Sequence, residues 1–84
     1  MNALSESIKQ KLVFSLENIG IYISEEEKES DFNLSDYILD SLLFVTFFVE
    51  LEKNLGIEIP DIYLSIEKFV SVDAFCISIS ELLQ

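Results

Sequence analysis

The chain has 84 residues, half of them apolar, and sixteen acidic against five basic residues give a net charge of −11. That charge repels nucleic acid phosphates and anionic membrane surfaces, so we expect neither as a direct partner. The sequence has no His, which excludes serine–histidine–aspartate catalysis and ordinary zinc sites. Two Gly and one Pro leave little room for hairpin turns. Length and composition therefore predict one compact helical domain over residues 1–84.

The first twenty residues carry apolar side chains at helical spacing, with Gly20 as a natural stop. The acidic run Ser24–Asp31 lacks apolar periodicity and predicts a solvated loop with room for a frayed helical turn. The apolar residues that follow predict a long loop pinned to the core. These residues are Phe32, Leu34, Tyr37, Ile38 and Leu39.

A second long helix is predicted from a cap at Asp40 or Ser41 to Leu55, with Gly56 beyond it. Steps of 100° place one apolar arc on the core side. This arc contains Phe44, Phe47, Phe48, Leu51 and Leu55. Because further apolar residues flank the arc, we expect this helix to face a partner as well as the core.

The remainder of the chain predicts two more helical segments. Pro60 fixes a turn or a helix start, and Tyr63–Phe69 is long enough for a short third helix. Ser71 is a good cap for a closing helix with an apolar stripe. That stripe contains Val72, Phe75, Cys76, Ile79, Leu82 and Leu83. The predicted fold is all-α: a small four-helix bundle with three longer helices, one short helix and a long loop between the first two.

Cys76 is the only cysteine and cannot form an internal disulfide, and its place on the apolar stripe favours a buried structural thiol. No secretory signal is visible, and the longest nearly apolar stretch, Leu42–Val49, is too short to span a bilayer. These features lead us to expect a cytoplasmic protein.

Two candidate acidic sites fail on inspection. The segment Asp31–Asp36 resembles the opening of an EF-hand calcium loop, but Asp36 stands where Gly is required and Leu42 where a bidentate Glu is required. The pair Asp36 and Asp40 is a poor candidate for hydrolysis in so small a chain. We therefore predict neither catalytic residues nor a metal site.

Ser41 differs from the other serines because it follows an Asp, precedes a Leu and opens the most apolar helix. A phosphate at such a helix N-terminus is favoured by free backbone N–H groups and by the helix dipole. The competing interpretation is that Ser41 only caps the helix, and on these features alone the cap is the simpler one.

The residues around Ser41 favour a modified serine over a serine that only caps the helix. The run Asp40-Ser41-Leu42, then Leu51-Glu52, then Gly56-Ile57-Glu58-Ile59-Pro60-Asp61, resembles the acyl carrier protein family without a gap. The resemblance implies the bundle of that family and a 4′-phosphopantetheine arm, taken from coenzyme A, on the Ser41 hydroxyl. It also implies that Asp40 helps to place the transfer chemistry and that Leu42 contacts the base of the arm.

By the same resemblance, the protein catalyses nothing and is itself a substrate of a phosphopantetheinyl transferase. It carries acyl or aminoacyl groups as thioesters from a loading enzyme to downstream acyl-transfer enzymes, and it is a monomer. The expected partner surface lies on the second long helix. It contains Leu42, Leu43, Val45, Thr46, Val49, Glu50 and Lys53.

Departures from the family pattern bear on the pathway. Leu43, Thr46 and Lys53 stand where carriers of dissociated fatty acid synthases have acids, so this helix resembles those of peptidyl and D-alanyl carriers. We therefore expect a specialised nonribosomal peptide, polyketide or related pathway. The rings of the core face also favour a short or amino acid cargo. Fatty acid biosynthesis is the first alternative, and an unmodified helical protein-binding module is the second.

Overall fold

The computed structural model describes residues 1–84 as four α-helices joined by turns, with no strand. The helices are α1 (Ala3–Asn18), α2 (Glu25–Glu29), α3 (Ser41–Leu55) and α4 (Val72–Leu83). Helix α1 packs against both α3 and α4. The predicted fold class is confirmed, with three longer helices and a long connection between α1 and α3. None of the helices combines the length and the apolar character needed to cross a membrane.

Local interactions set the boundaries of the long helices. Asn2, Asp40 and Ser71 each accept a hydrogen bond from a backbone N–H in the first turn of α1, α3 and α4, respectively. Beyond the C-termini, Gly20 and Gly56 take positive φ angles of 90° and 70°, which cost a glycine little. The predicted ends of α1 and α3 are therefore confirmed.

The acidic run is more ordered than the predicted loop. Ser24 caps α2 by accepting the N–H of Glu27, and three Glu in the first turn suit the positive end of the helix dipole. Lys28 pairs with Glu25 at 3.1 Å and with Glu17 of α1 at 3.6 Å. A short polar helix therefore forms here without an apolar face of its own.

The short helix expected at Tyr63–Phe69 is instead two 3₁₀ turns, Asp61–Tyr63 and Ile66–Phe69. The chain is non-helical between them, with Leu64 at φ −80° and ψ 59° and Ser65 extended. The Ser65 hydroxyl accepts the N–H of Glu67, and this local bond starts a new turn in place of a continuous helix.

The core is one cluster of apolar side chains centred on aromatic rings. Phe44, Phe47, Phe48 and Leu51 are buried as predicted, and Leu55 packs on the cluster from a half-buried position. Phe69 links the two sides of the bundle. Its ring centroid lies 5.5 Å from that of Phe44 and 4.2 Å from that of Phe75 on α4.

Two predictions about buried positions are wrong. Leu39 was expected to pin the long loop, but it is 86% exposed, and the loop is held by Phe32, Leu34 and Ile38. Leu82 and Leu83 follow the helical period yet are exposed at the end of α4, although Ile79 and Ser80 just before them are fully buried. Cys76 is buried as predicted.

Candidate functional site

Ser41 is the first residue of α3 and is exposed to solvent. The cap of this helix is Asp40, whose carboxylate accepts the N–H of Leu43 at 2.7 Å. The interpretation of Ser41 as only a helix cap is therefore wrong, because its neighbour performs that task.

A groove of about 300 Å³ lies beside Ser41. One wall comes from the end of the long loop and the first turn of α3, and the other from the segment between the two 3₁₀ turns. The groove is lined by Ile38, Leu39, Asp40, Ser41, Phe44, Leu64, Ser65 and Ile66. An attached group therefore has an apolar surface next to it.

The backbone before α3 explains why Ser41 faces outward. Ile38 is buried, and its N–H donates to the carbonyl oxygen of Leu34 at 3.0 Å, which anchors the loop. Asp40 is extended, with φ −130° and ψ 154°, and the helix begins at the next residue. In the first turn of α3, Ser41 and Leu42 are both exposed, and Phe44 is the first side chain of the helix that is buried.

The start of α3 is also suited to a phosphate ester. The N–H groups at a helix N-terminus lack intrahelical partners, and the helix dipole places partial positive charge there. Asp40 takes up only the N–H of Leu43. The N–H groups of Ser41 and Leu42 therefore remain at the surface beside the hydroxyl, where a phosphate is favoured.

The outer face of α3 is mainly apolar. Leu42 is 77% exposed, and Val45, Thr46, Val49 and Lys53 are exposed along the same helix. The remaining two residues of the predicted partner surface are only partly exposed. Leu43 packs against the core, and Glu50 accepts a hydrogen bond from the Asn18 amide of α1 at 2.9 Å.

Sequence reasoning missed part of the groove. Leu39 was assigned to the core, and Leu64 and Ser65 were not singled out. Leu39 is exposed directly before the extended Asp40 cap. No sequence signal connects Leu64 and Ser65 to Ser41, because only the tertiary fold brings these segments together.

The helical bundle and the exposed serine at the start of α3 describe a small carrier domain. A family model described as the phosphopantetheine attachment site matches residues 17–76, well over half of the chain. The chain therefore belongs to this family of acyl and peptidyl carrier proteins, which bear 4′-phosphopantetheine as a covalent cofactor. No curated protein matches the chain, and no solved structure matches it.

The family, the fold class and the cofactor were all predicted from the sequence, and all three are confirmed. The residues around α3 fit such a group. An exposed hydroxyl, free backbone N–H groups and an apolar groove lie together at the start of the helix. Carrier domains of this family are generally not catalytic, and they interact with phosphopantetheinyl transferases and acyl-handling enzymes.

Proposed function

We propose that Ser41 is the attachment residue and that residues 1–84 act as a single carrier domain for acyl or aminoacyl groups. One observation carries this proposal: the Ser41 hydroxyl is exposed where α3 begins, while Asp40 supplies the cap. A separate transferase takes the group from coenzyme A. The new bond joins Ser41 Oγ to the phosphate, the hydroxyl proton passes to the transferase, and the nucleotide portion of coenzyme A leaves.

The cofactor supplies a thiol that holds the cargo as a thioester. The chain's own residues present and orient the cofactor. The helix N-terminus stabilises the phosphate, and Leu39 and Leu42 provide exposed apolar surface on either side of Ser41. Asp40 keeps the first turn of α3 in place, so the attachment atom has a defined position.

The test is modification by a broad-specificity phosphopantetheinyl transferase and coenzyme A, read by intact mass. We expect the mass of one phosphopantetheine group on the wild-type protein and none on Ser41→Ala. The matched control is Ser65→Ala, which removes the other hydroxyl of the groove and should leave modification intact. Modification of Ser41→Ala, or none of the wild type, would contradict the proposal and favour an unmodified binding module.

A thiol titration gives a second readout of the same reaction. Burial raises the pKa of the Cys76 thiol to about 12, and this side chain is fully enclosed. Cys76 should therefore not react in the folded protein. We expect no reactive thiol before modification and one reactive thiol afterwards.

The partners follow from the outer face of α3. We propose that the transferase, a loading enzyme and downstream acyl-transfer enzymes dock on Leu42, Val45, Thr46, Val49 and Lys53, with Leu43 and Glu50 at the border of this face. The face is more apolar than acidic, which favours recognition by apolar burial at about 25 cal/mol per Å² over exposed ion pairs. We also propose that the protein works as a monomer in the cytoplasm.

The aromatic core beside the groove bears on the size of the cargo. Phe44 lines the groove, and its ring lies 6.3 Å from that of Phe47 and 6.1 Å from that of Phe48. Because these rings fill the space behind Ser41, a long acyl chain has no room in the core. We therefore propose a short acyl or aminoacyl cargo in a specialised nonribosomal peptide, polyketide or related pathway, with fatty acid biosynthesis as the alternative.

A further inference from the structure

Two exposed leucines line the groove beside Ser41. Leu39 lies directly before the Asp40 cap and is 86% exposed. Leu64 lies between the two 3₁₀ turns and is 47% exposed. Both side chains therefore keep apolar surface that a group in the groove can cover, and covering it is favourable.

Hydrogen bonds hold the backbone next to both leucines. The N–H of Ile38 donates to the carbonyl oxygen of Leu34 at 3.0 Å, directly before Leu39. The N–H of Leu64 donates to the carbonyl oxygen of Asp61 at 2.9 Å. A group that enters the groove therefore meets a surface that is already formed, and little ordering of the chain is needed to bind it.

Phe44 closes the groove toward the core. This side chain lines the groove but is only 7% exposed, and its ring centroid lies 5.5 Å from that of Phe69. A group in the groove therefore lies along the surface. The volume of about 300 Å³ is at the small end for ligand sites, so it suits a narrow flexible chain and leaves little room for a bulky cargo.

The charge of the groove limits the kind of group that fits. Its only charged side chain is Asp40, so no cation is present to favour an anionic ligand. The pantetheine part of the arm is uncharged, with a pair of methyl groups beside the phosphate and amide groups farther along. Ser41 itself lines the groove, so an arm attached there starts at the groove.

The groove is distinct from the outer face of α3. The exposed apolar residues of that face are Leu42, Val45 and Val49, and none of them lines the groove. A partner that docks on this face therefore does not need the groove, which leaves the groove available to the arm.

We propose that Leu39 and Leu64 hold the pantetheine part of the arm in the groove while no partner is bound, an inference that rests on the proposed attachment at Ser41. Leu39, close to the attachment residue, covers the methyl groups beside the phosphate. Leu64 covers a more distant part of the arm, and the cargo stays outside. Partners then meet an arm with few conformations, so less ordering is required when they dock.

The test uses the whole chain carrying an isotope-labelled arm, after intact mass has shown complete modification. Isotope-filtered NMR detects nuclear Overhauser effects between the arm and methyl groups of the protein. We expect such effects at Leu39 and Leu64. We also expect order parameters of the arm's amide groups above about 0.6, the limit below which a backbone counts as flexible.

A double variant with a matched control locates the contact. Leu39→Ala, Leu64→Ala should lower the order parameters of the arm below about 0.6. The control is Ile62→Ala, Val70→Ala, which truncates apolar side chains that are 69% and 58% exposed and do not line the groove. It should leave the arm as in the wild type. Because all four side chains are exposed, both variants should keep the fold, which the amide shifts of the core residues check.

Four results would overturn the proposal. A flexible arm in the wild type, without effects at either leucine, means that the groove does not hold it. Effects at Val45 or Val49 place the arm on the outer face of α3. Equal loosening of the arm in the control variant means nonspecific apolar contact. Effects that disappear on dilution make the arm of a second copy the occupant.

The carrier function and the role of the groove fail in different ways. If intact mass shows no arm on the wild-type protein, the carrier function fails, and the role of Leu39 and Leu64 fails with it. If the arm is attached at Ser41 but flexible, the carrier function stands and only the role of the two leucines is overturned.

Discussion

At the start of α3, two adjacent side chains perform separate tasks. The Asp40 carboxylate accepts the N–H of Leu43, and Ser41 contributes an exposed hydroxyl that the helix does not use. In a helix capped by its own serine, a phosphate ester would compete with the cap. The division between Asp40 and Ser41 avoids this conflict.

The two contributions of Asp40, as a cap and as a charge near the transfer reaction, can be separated. Asn caps a helix about as well as Asp, so Asp40→Asn should keep stability within a few tenths of a kcal/mol, whereas Asp40→Ala should lose about 1 kcal/mol. Urea unfolding checks both values. If the charge also assists the transferase, both variants are modified slowly, while a purely structural role would leave Asp40→Asn at the wild-type rate.

At the scale of elements, α3 faces two environments. Phe47 and Leu51 are fully enclosed in the core, whereas Leu42, Val45 and Val49 are exposed on the opposite side. Folding alone gives no reason for three large apolar side chains at the surface of one helix. Their position beside Ser41 supports the proposed docking face.

The apolar docking face predicts a particular response to mutation and to salt. Leu42→Ala, Val49→Ala should lower kcat/KM for the transferase by about tenfold or more, because each truncation removes apolar area from the complex. The control is Val70→Ala, an exposed apolar residue outside α3. Little dependence of the reaction on salt is also expected. If activity fell steeply with added salt and the Leu42→Ala, Val49→Ala variant kept the wild-type kcat/KM, docking would be electrostatic instead.

At the scale of the whole molecule, the aromatic core limits what the carrier can shelter. The rings of Phe44, Phe47, Phe69 and Phe75 form a connected set that reaches from α3 to α4. Phe44 is the member of this set that also lines the groove, so it separates the attachment site from the interior.

This arrangement predicts that an octanoyl cargo stays outside the core. Loading an eight-carbon chain should leave Tm and the NMR shifts of core methyl groups nearly unchanged in the wild type. Phe44→Leu opens space next to the groove and should allow the loaded form to gain stability over the unloaded form. Phe48→Leu, equally buried but outside the groove, should not. Large shifts of core methyls in the loaded wild type would refute the short-cargo proposal.

The long loop is tied to α4 by one carboxylate. Asp31 accepts hydrogen bonds from the Ser71 hydroxyl and from the N–H of Asp73 at 3.0 Å, and the carbonyl oxygen of Phe32 beside it accepts a hydrogen bond from the N–H of Val72. Partial burial of Asp31 opposes its ionisation, but these hydrogen bonds outweigh that cost and lower the pKa of the carboxyl.

A lowered pKa gives the stability a defined pH dependence. The contribution of Asp31 is complete above the ordinary carboxyl pKa of 3.8, and it is lost as the pH falls toward the lower folded value. Asp31→Asn should therefore be less stable at neutral pH and should lose less stability below pH 3.8 than the wild type. Thermal unfolding at several pH values measures this, with Asp36→Asn, an exposed carboxylate outside these bonds, as the control.

The sequence alone determined the three longer helices and the cofactor. Periodic apolar residues, the caps at Asp40 and Ser71 and the stops at Gly20 and Gly56 act within a few residues, so the boundaries of α1, α3 and α4 were predictable. The spaced motif from Asp40 to Asp61 identified the family, which the match over residues 17–76 confirmed.

Only the tertiary structure decided which surfaces exist. The groove joins Leu39 to Leu64, and a second depression, between α1 and α2, joins Phe14 to Glu29, pairs that are far apart along the chain. Apolar residues such as Leu39 and Phe14 satisfy a helical or anchoring pattern equally well whether buried or exposed. Their exposure depends on how α1, α3 and the connecting segments pack, and that packing is a property of long-range contacts which no local pattern encodes.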